Sequence, residues 1–330
     1  VSASQDGARA HHARPLDVFD LATLGRLPHG FLHYVHSDRM QPPFFHRERV
    51  AELKATWDTT ARDLLICTAQ KVGTHLTKRY VVELLAEAGA FGREHPCFTR
   101  DIGHGAVAWP EVTYSQGGRA AWEAHLARLG EGPRLWYTHC DIDDLPMRSV
   151  NPDTRFIVCY REPKSVVVSQ YHFYRRHPLL GVDPAMTLSD FGELFLAGRT
   201  YFGDYHAHVR RWVEHAPGAP IHSSALLTLR YEDLVERKIA SARKIAAFLL
   251  PGHAFADEAI ARVAERTGFD VMKDEMTRNP QTFHFRPEVF FRAGTTDDWQ
   301  NHMSPELARQ IDEKTARTWA GTALSRSFPA

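Results

Sequence analysis

Cys67-Thr-Ala-Gln-Lys-Val-Gly-Thr-His-Leu76 decides how this chain is read. It follows a short apolar run, Asp63-Leu-Leu-Ile-Cys67, and precedes a helical pattern with apolar residues at Leu76, Tyr80, Val81, Leu84, Leu85 and Ala88. The pattern predicts a strand over 63–68, a tight turn and a helix over 74–88. Such a turn aims backbone N–H groups and a helix N-terminus at an anion. A nucleotide triphosphatase loop requires Gly-Lys before the Ser or Thr, but no Gly-Lys dipeptide occurs in this chain. Here the lysine comes first, in Lys71-Val-Gly-Thr74, so the loop is phosphate-binding in type but differently ordered.

Two further segments fit beside it. Phe156-Ile-Val-Cys-Tyr-Arg-Glu-Pro-Lys-Ser-Val-Val-Val-Ser-Gln-Tyr-His-Phe173 reads as a strand running into a helix, and Phe291-Arg-Ala-Gly-Thr-Thr-Asp-Asp-Trp299 reads as a loop near the C-terminus. In this order and at this spacing, the three segments resemble the phosphosulfate-binding elements of the cytosolic sulfotransferases. Those are the T-Y-P-K-S-G-T-T-W loop, the R-x-P-K-x-x-x-x-S-x-Y-H-F element and the F-x-R-K-G-x-x-x-D-W loop. The resemblance spans about residues 60 to 302 and leaves the first 50 or so unmatched.

With 330 residues and 43% hydrophobic composition, the chain can build one large α/β domain. Alternating strands (63–68, 134–138, 155–160, 225–229) and helices (74–88, 163–176, 204–215, 231–249, 256–266, 304–320) predict a central, mostly parallel sheet flanked by helices. Residues 1–50 read as a partly mobile N-terminal extension, irregular from 16 to 60, and 51–330 as a single domain. Residues 92–120 and 268–300, rich in Gly, Pro and aromatics, read as long connections of the kind that form binding loops.

Lys+Arg and Asp+Glu both number 40, so the net charge is zero. This argues against nucleic acid as a partner and requires any anion site to be a local concentration of charge. The 4 cysteines are scattered, with no C-x-x-C pair. No apolar run approaches 18 residues, and the first residues lack a signal peptide's apolar core. Together these predict a cytoplasmic protein that neither spans nor binds a membrane. The histidines lack ligand spacing: His206 and His208, two apart on a predicted helix, diverge by roughly 200°. No metal is expected.

The resemblance implies 3′-phosphoadenosine 5′-phosphosulfate (PAPS) as co-substrate and a hydroxyl-bearing small molecule, a phenol or alcohol, as acceptor. It also implies in-line transfer of the sulfuryl group. Lys71 would stand at the bridging oxygen, while Val72, Gly73, Thr74, His75 and Leu76 surround the 5′-phosphate. Arg161 and Ser169, with Phe291, Arg292 and Gly294, would take the 3′-phosphate; Thr267 and Phe269, in Arg266-Thr-Gly-Phe269, would flank the adenine, and Tyr231 would touch the nucleotide. Leu135-Trp-Tyr-Thr-His-Cys140 is similar to the family's K-T-H-x-P element, which makes His139 the general base at the end of a strand, and Lys71, His139 and Ser169 the catalytic set. Trp109, Tyr137, His139 and Phe173, with Tyr114 and Phe283 nearby in the same connections, would line the acceptor pocket.

Several positions depart from the family pattern. Gln70, Val72, His75 and Leu76 replace a proline, a serine, a threonine and a tryptophan; Tyr137 and Ala293 each replace a lysine. The family's dimer signature is absent, leaving the oligomeric state open. The alternatives are a P-loop kinase or hydrolase using ATP and Mg²⁺, or a non-catalytic nucleotide-binding relative. A sulfated alcohol could also serve as a leaving group rather than as a final product.

Overall fold

The computed structural model describes residues 24–26, 32–36, 39–42, 44–93, 107–177, 185–214, 221–278 and 290–328, with side chains from 41 onward. The expected mobile start at 1–15, Phe283, Cys97 and the proline breakers near 280 and 287 lie outside them.

Five parallel strands form the central sheet. They are β4 (Asp63–Thr68), β5 (Val107–Ala108), β6 (Arg134–Thr138), β7 (Arg155–Tyr160) and β8 (Leu226–Arg230), in the order β5-β6-β4-β7-β8. Every residue of β4 is buried, as expected for a central strand covered on both faces. The chain leaves β4 to build one side of the sheet and returns to build the other. β4 is therefore the topological switch point, outside whose carboxyl end such sheets place their ligands. Register brings the strand ends level: Cys67 pairs with Thr138 on one side, and Thr68 with Cys159 on the other.

Helix α2 (Thr74–Glu87) follows β4 and buries Tyr80, Val81, Leu84 and Leu85. Helix α4 (Pro163–Arg176) follows β7, with Pro163 in its first turn and the Glu162 side chain capping the Ser165 N–H at 2.7 Å. Helices α5 (Leu188–Leu196), α6 (Tyr205–Glu214), α7 (Tyr231–Glu236), α8 (Lys238–Leu249), α9 (Asp257–Arg266), α10 (Phe269–Arg278) and α11 (Pro305–Trp319) complete the cover.

The structure corrects several expectations. Residues 92–120 are not a continuous connection, because helix α3 runs over Pro110–Leu129. Gly117-Gly118 hid it: Gly118 is non-helical (φ 61°, ψ −154°), so two shorter helices join there across a kink. Helix α10 likewise occupies the start of 268–300. The single helix expected over 231–249 breaks at Arg237 (φ −120°, ψ 49°), separating α7 from α8. The described part of residues 16–60 is not irregular. It contains an antiparallel sheet of β1 (Leu24–Arg26), β2 (Leu32–His36) and β3 (Arg39–Gln41), then helix α1 (Arg47–Thr56). The boundary drawn at residue 50 falls inside α1, whose Val50 and Leu53 are buried in the common core.

Candidate functional site

The β4–α2 turn is strained into shape. Lys71 has φ 68° and Gly73 has φ 101°, two left-handed residues separated by one, the backbone signature of an anion-binding nest. Only glycine fits at 73, since a Cβ there would stand 2.5 Å from the Tyr231 ring. Gly73 is the N-cap of α2 and provides no side-chain cap, so the first N–H groups of the helix (Thr74, His75, Leu76) point out of the turn. Val72, where a hydroxyl was missed, is fully buried, and its carbonyl accepts from Cys159 Sγ at 3.0 Å. Gln70 is also buried: its side chain accepts from the Tyr174 hydroxyl, and its carbonyl accepts from Gln170 Nε2 at 3.3 Å.

Lys71 Nζ lies 4.4 Å from the centroid of the Phe173 ring and 5.6 Å from that of Phe290. Desolvation, then the charges of Arg161 and Arg292, lower its pKa to about 7. Lys71, Arg161 and Arg292 gather their charges here, and among the described residues only Arg292 has a carboxylate partner, Asp298, which favours an anionic guest.

Arg161 follows β7 directly. Its guanidinium stacks 4.2 Å from the Tyr231 ring centroid and donates to the carbonyls of Lys71 (3.3 Å) and Thr295 (3.4 Å). Its Nε is buried with no acceptor among the described residues. Ser165 Oγ donates to the Thr296 carbonyl at 2.7 Å, pinning the C-terminal loop onto α4. In that loop Gly294 (φ 71°) lies so close to Phe269 that a Cβ would stand 2.5 Å from its ring. Phe269 in turn meets Phe291 edge-on at 5.4 Å. Arg292 is ion-paired with Asp298 and lies 3.2 Å from His302 Nε2. Ser169 is half-buried on α4, with no hydrogen bond among the described residues. Thr267 is nearly fully buried, and its hydroxyl donates to the Ala264 carbonyl at 2.9 Å. That hydroxyl is therefore occupied in ending α9.

His139 follows β6 directly, and its Nδ1 lies 2.7 Å from the Thr68 carbonyl. A carbonyl can only accept, so Nδ1 carries the proton and Nε2 holds the lone pair. Burial, then the charges of His208, Lys78 and Lys71, lower its pKa to about 3, against the opposing Thr68 hydrogen bond. Thr68 Oγ1 also bonds Thr74 Oγ1 at 2.8 Å.

A chain of rings runs from Lys71 round to His139. Phe173 meets His177 (5.1 Å between centroids), His177 meets Phe44 (6.5 Å), Phe44 meets Trp109 (5.5 Å) and Trp109 meets His139 (4.9 Å). Tyr137 lies 5.3 Å from Trp109 and 5.8 Å from His139. The buried Trp109 Nε1–H has no acceptor among the described residues. Tyr114 is not part of this wall: its ring packs toward Trp122, in the cluster with Trp57 and Trp136.

Sequence reasoning missed four contributors. Phe44 and Phe45 come from the segment read as irregular, and Phe45 lies 5.4 Å from Trp109. Phe202 (φ 69°) is a strained non-glycine residue whose ring lies 5.4 Å from His139; no sequence signal marks it beyond the Gly203 that follows. Glu111 is fully buried, its carboxyl pushed up to about 7 by desolvation. It accepts from Thr138 Oγ1 and from Cys140 Sγ (3.0 Å), the residues on either side of His139. Trp109-Pro-Glu111 is a legible helix start, with Pro at the first position and an acid in the first turn.

Among the described residues no group of three or more His, Cys, Asp or Glu is arranged to hold a metal, and no helix is long and apolar enough to cross a membrane.

Comparison with known proteins accords with this geometry. The sulfotransferase domain family matches residues 61–323. Sulfotransferase 1A1 of Bos taurus is 29% identical over 272 residues, covering 79% of this chain and 85% of that protein. Sulfotransferase 6B1 of Danio rerio is 30% identical over 194 residues, covering 58% of this chain and 61% of that one. Mouse sulfotransferase SULT7A1, solved with PAP, shares the fold at a TM-score of 0.69 and 23% identity, over 92% of this chain and 97% of that one. Retinol dehydratase, solved with retinol and PAP, shares it at 0.68 and 18% identity, over 98% and 96%. The chain therefore belongs to the sulfotransferase domain family and is a PAPS-dependent sulfotransferase.

Proposed function

We propose that the chain transfers the sulfuryl group of PAPS to the hydroxyl of a neutral, planar aromatic small molecule, with His139 as general base. What carries the reading is one juxtaposition. Lys71 and the open N-terminus of α2 stand at one end of an aromatic wall, and the unprotonated Nε2 of His139 stands at the other.

The residues fit the nucleotide. The β4–α2 turn offers N–H groups to the 5′-phosphate, as helix N-termini do for anions. Arg161, whose Nε lacks an acceptor among the described residues, and Arg292, with Ser169 and the 291–294 loop, suit the 3′-phosphate. PAPS supplies the sulfuryl group, bonded to a 5′-phosphate oxygen. Lys71 offers an ammonium where negative charge collects as that bond breaks. Binding an anion beside Lys71 favours its charged form, reversing the shift toward neutrality.

Burial leaves the His139 imidazole unprotonated near neutral pH, so its lone pair is available to the acceptor's proton. Thr68 holds the ring's tautomer and orientation, and Glu111 braces the residues flanking it. The acceptor wall supplies stacking faces and one spare donor, Trp109 Nε1, while burial keeps both His139 and His177 neutral with pKa values lowered to about 3. That lining favours an uncharged aromatic ring with a hydroxyl, and we place the reaction in the cytoplasm.

The test pairs calorimetry with an acceptor panel. 3′-Phosphoadenosine 5′-phosphate should bind without Mg²⁺ and much more tightly than ATP. With PAPS, 2-naphthol should be sulfated with kcat/KM ~10-fold or more above cyclohexanol and above 6-hydroxy-2-naphthoate. Preference for the saturated or the anionic acceptor would overturn the acceptor class; equal binding of Mg·ATP would overturn the donor.

A further inference from the structure

Lys78 is a second buried lysine, on the Tyr137 ring of the aromatic wall and outside the binding turn. It lies in α2 and is only 1% exposed. Thr74 and Lys78 are four residues apart, so they share a helix face, and side chains on a helix lean toward its N-terminus. The Lys78 ammonium accordingly reaches the end of β6, where Nζ lies 3.9 Å from the centroid of the Tyr137 ring. That ring is in edge contact with His139 at 5.8 Å. The Thr74 hydroxyl, one turn earlier, bonds Thr68, whose carbonyl holds His139 Nδ1.

Burying an ammonium carries a desolvation cost that a leucine packed on Tyr137 would not incur. A π face returns part of that cost. A transferring sulfuryl group close by would gain from that charge, because its oxygens bring negative charge to the site. We propose that Lys78, lodged on Tyr137, supplies fixed positive potential to the transfer centre, favouring the sulfuryl group in transit. The inference rests on the sulfuryl-transfer reading above. Lys78 acts through Tyr137 and through the field, so it is a positioning residue, distinct from Lys71.

The groups whose charge bears on His139 are Lys71 in the turn, Lys78 on α2 and His208 on α6, with Glu111 of α3 held against its neighbours. Removing the Lys78 charge raises the proton affinity of His139, so the acid limb of kcat must move to higher pH. The assay is forward transfer from PAPS to 2-naphthol at saturating donor and acceptor. The naphthol hydroxyl gives its proton to His139 Nε2, the S–O bond to the 5′-phosphate breaks, and the sulfuryl group passes to the naphthol oxygen.

Lys78→Met should lower kcat ~10- to 100-fold, move the acid limb upward, and leave nucleotide affinity within ~3-fold. Lys78→Arg should recover at least about a tenth of the rate with the limb unmoved. The proposal is overturned if Lys78→Met keeps kcat within ~3-fold, if the limb stays put, or if nucleotide affinity falls in step with rate, the mark of a disturbed α2. Should the methionine variant not fold, Lys78→Gln carries the same criteria. Wild-type protein that binds the nucleotide but does not sulfate 2-naphthol would fault the acceptor reading instead. The charge effect is then read by NMR titration of the His139 imidazole in the nucleotide complex, where the neutral variant must titrate at higher pH and an unchanged midpoint overturns the proposal.

Discussion

The two halves of the cleft, as proposed above to hold the nucleotide and the acceptor, are built by opposite strategies. The nucleotide half draws on consecutive residues: 68–76 supply a strand end, a left-handed turn and a helix start, and 160–169 supply a strand end, an arginine and a helix. The acceptor half has no such contiguity. Phe44 and Phe45 precede α1, Trp109 precedes α3, Tyr137 is the penultimate residue of β6, Phe173 is in the last turn of α4 and Phe202 lies between α5 and α6. Backbone geometry serves the anion, since N–H groups and left-handed turns cannot be supplied from afar. Ring faces serve the acceptor, and any segment that reaches the wall can supply one. The first half tolerates little change, while the second can be rebuilt ring by ring.

The largest expected effect is at Lys71. Lys71→Met should lower kcat ~1,000-fold, equally for every acceptor. Steady-state rates across the acceptor panel check this, and a loss that varied strongly between acceptors would break the separation of the halves. Next is Gly73→Ala, which combines φ 101° with a Cβ placed against Tyr231. It should weaken 3′-phosphoadenosine 5′-phosphate binding ~30-fold in calorimetry, with acceptor KM unchanged at saturating donor. The smallest is Phe202→Ala. Loss of one ring contact should raise KM for 2-naphthol ~10-fold while nucleotide affinity stays within ~2-fold. A nucleotide effect there would show that the wall and the turn are energetically one unit.

This asymmetry explains what was legible in the sequence. Strands 63–68, 134–138 and 155–160 coincide with β4, β6 and β7, because short buried runs bounded by turn residues leave few alternatives. Lys71, Gly73, Arg161 and His139 are brought to one end of the sheet, as their places at strand ends require. The wall was only half legible. Trp109, Tyr137 and Phe173 adjoin recognisable motifs, whereas Phe45 and Phe202 reach the site through tertiary packing that no local pattern encodes. Helix α3 was hidden by a glycine pair, and α5 went unread although Thr187 and Asp190 form a capping box. Tyr137 read as a lost charge because one strand position was considered alone; the ammonium on its face comes from a neighbouring helix.

Thr68 has a consequence for mechanical tolerance. Its side chain holds Thr74 at the head of α2 and its carbonyl holds the imidazole of His139, at 2.8 Å and 2.7 Å. The separation between the proposed donor cradle and the proposed base is thus set by two short links through one residue of the central strand. Both links run through the fully buried central strand. In the vocabulary of instrument making, both jaws are mounted on one post, so the gap between them stays calibrated even as the walls that select the workpiece are exchanged.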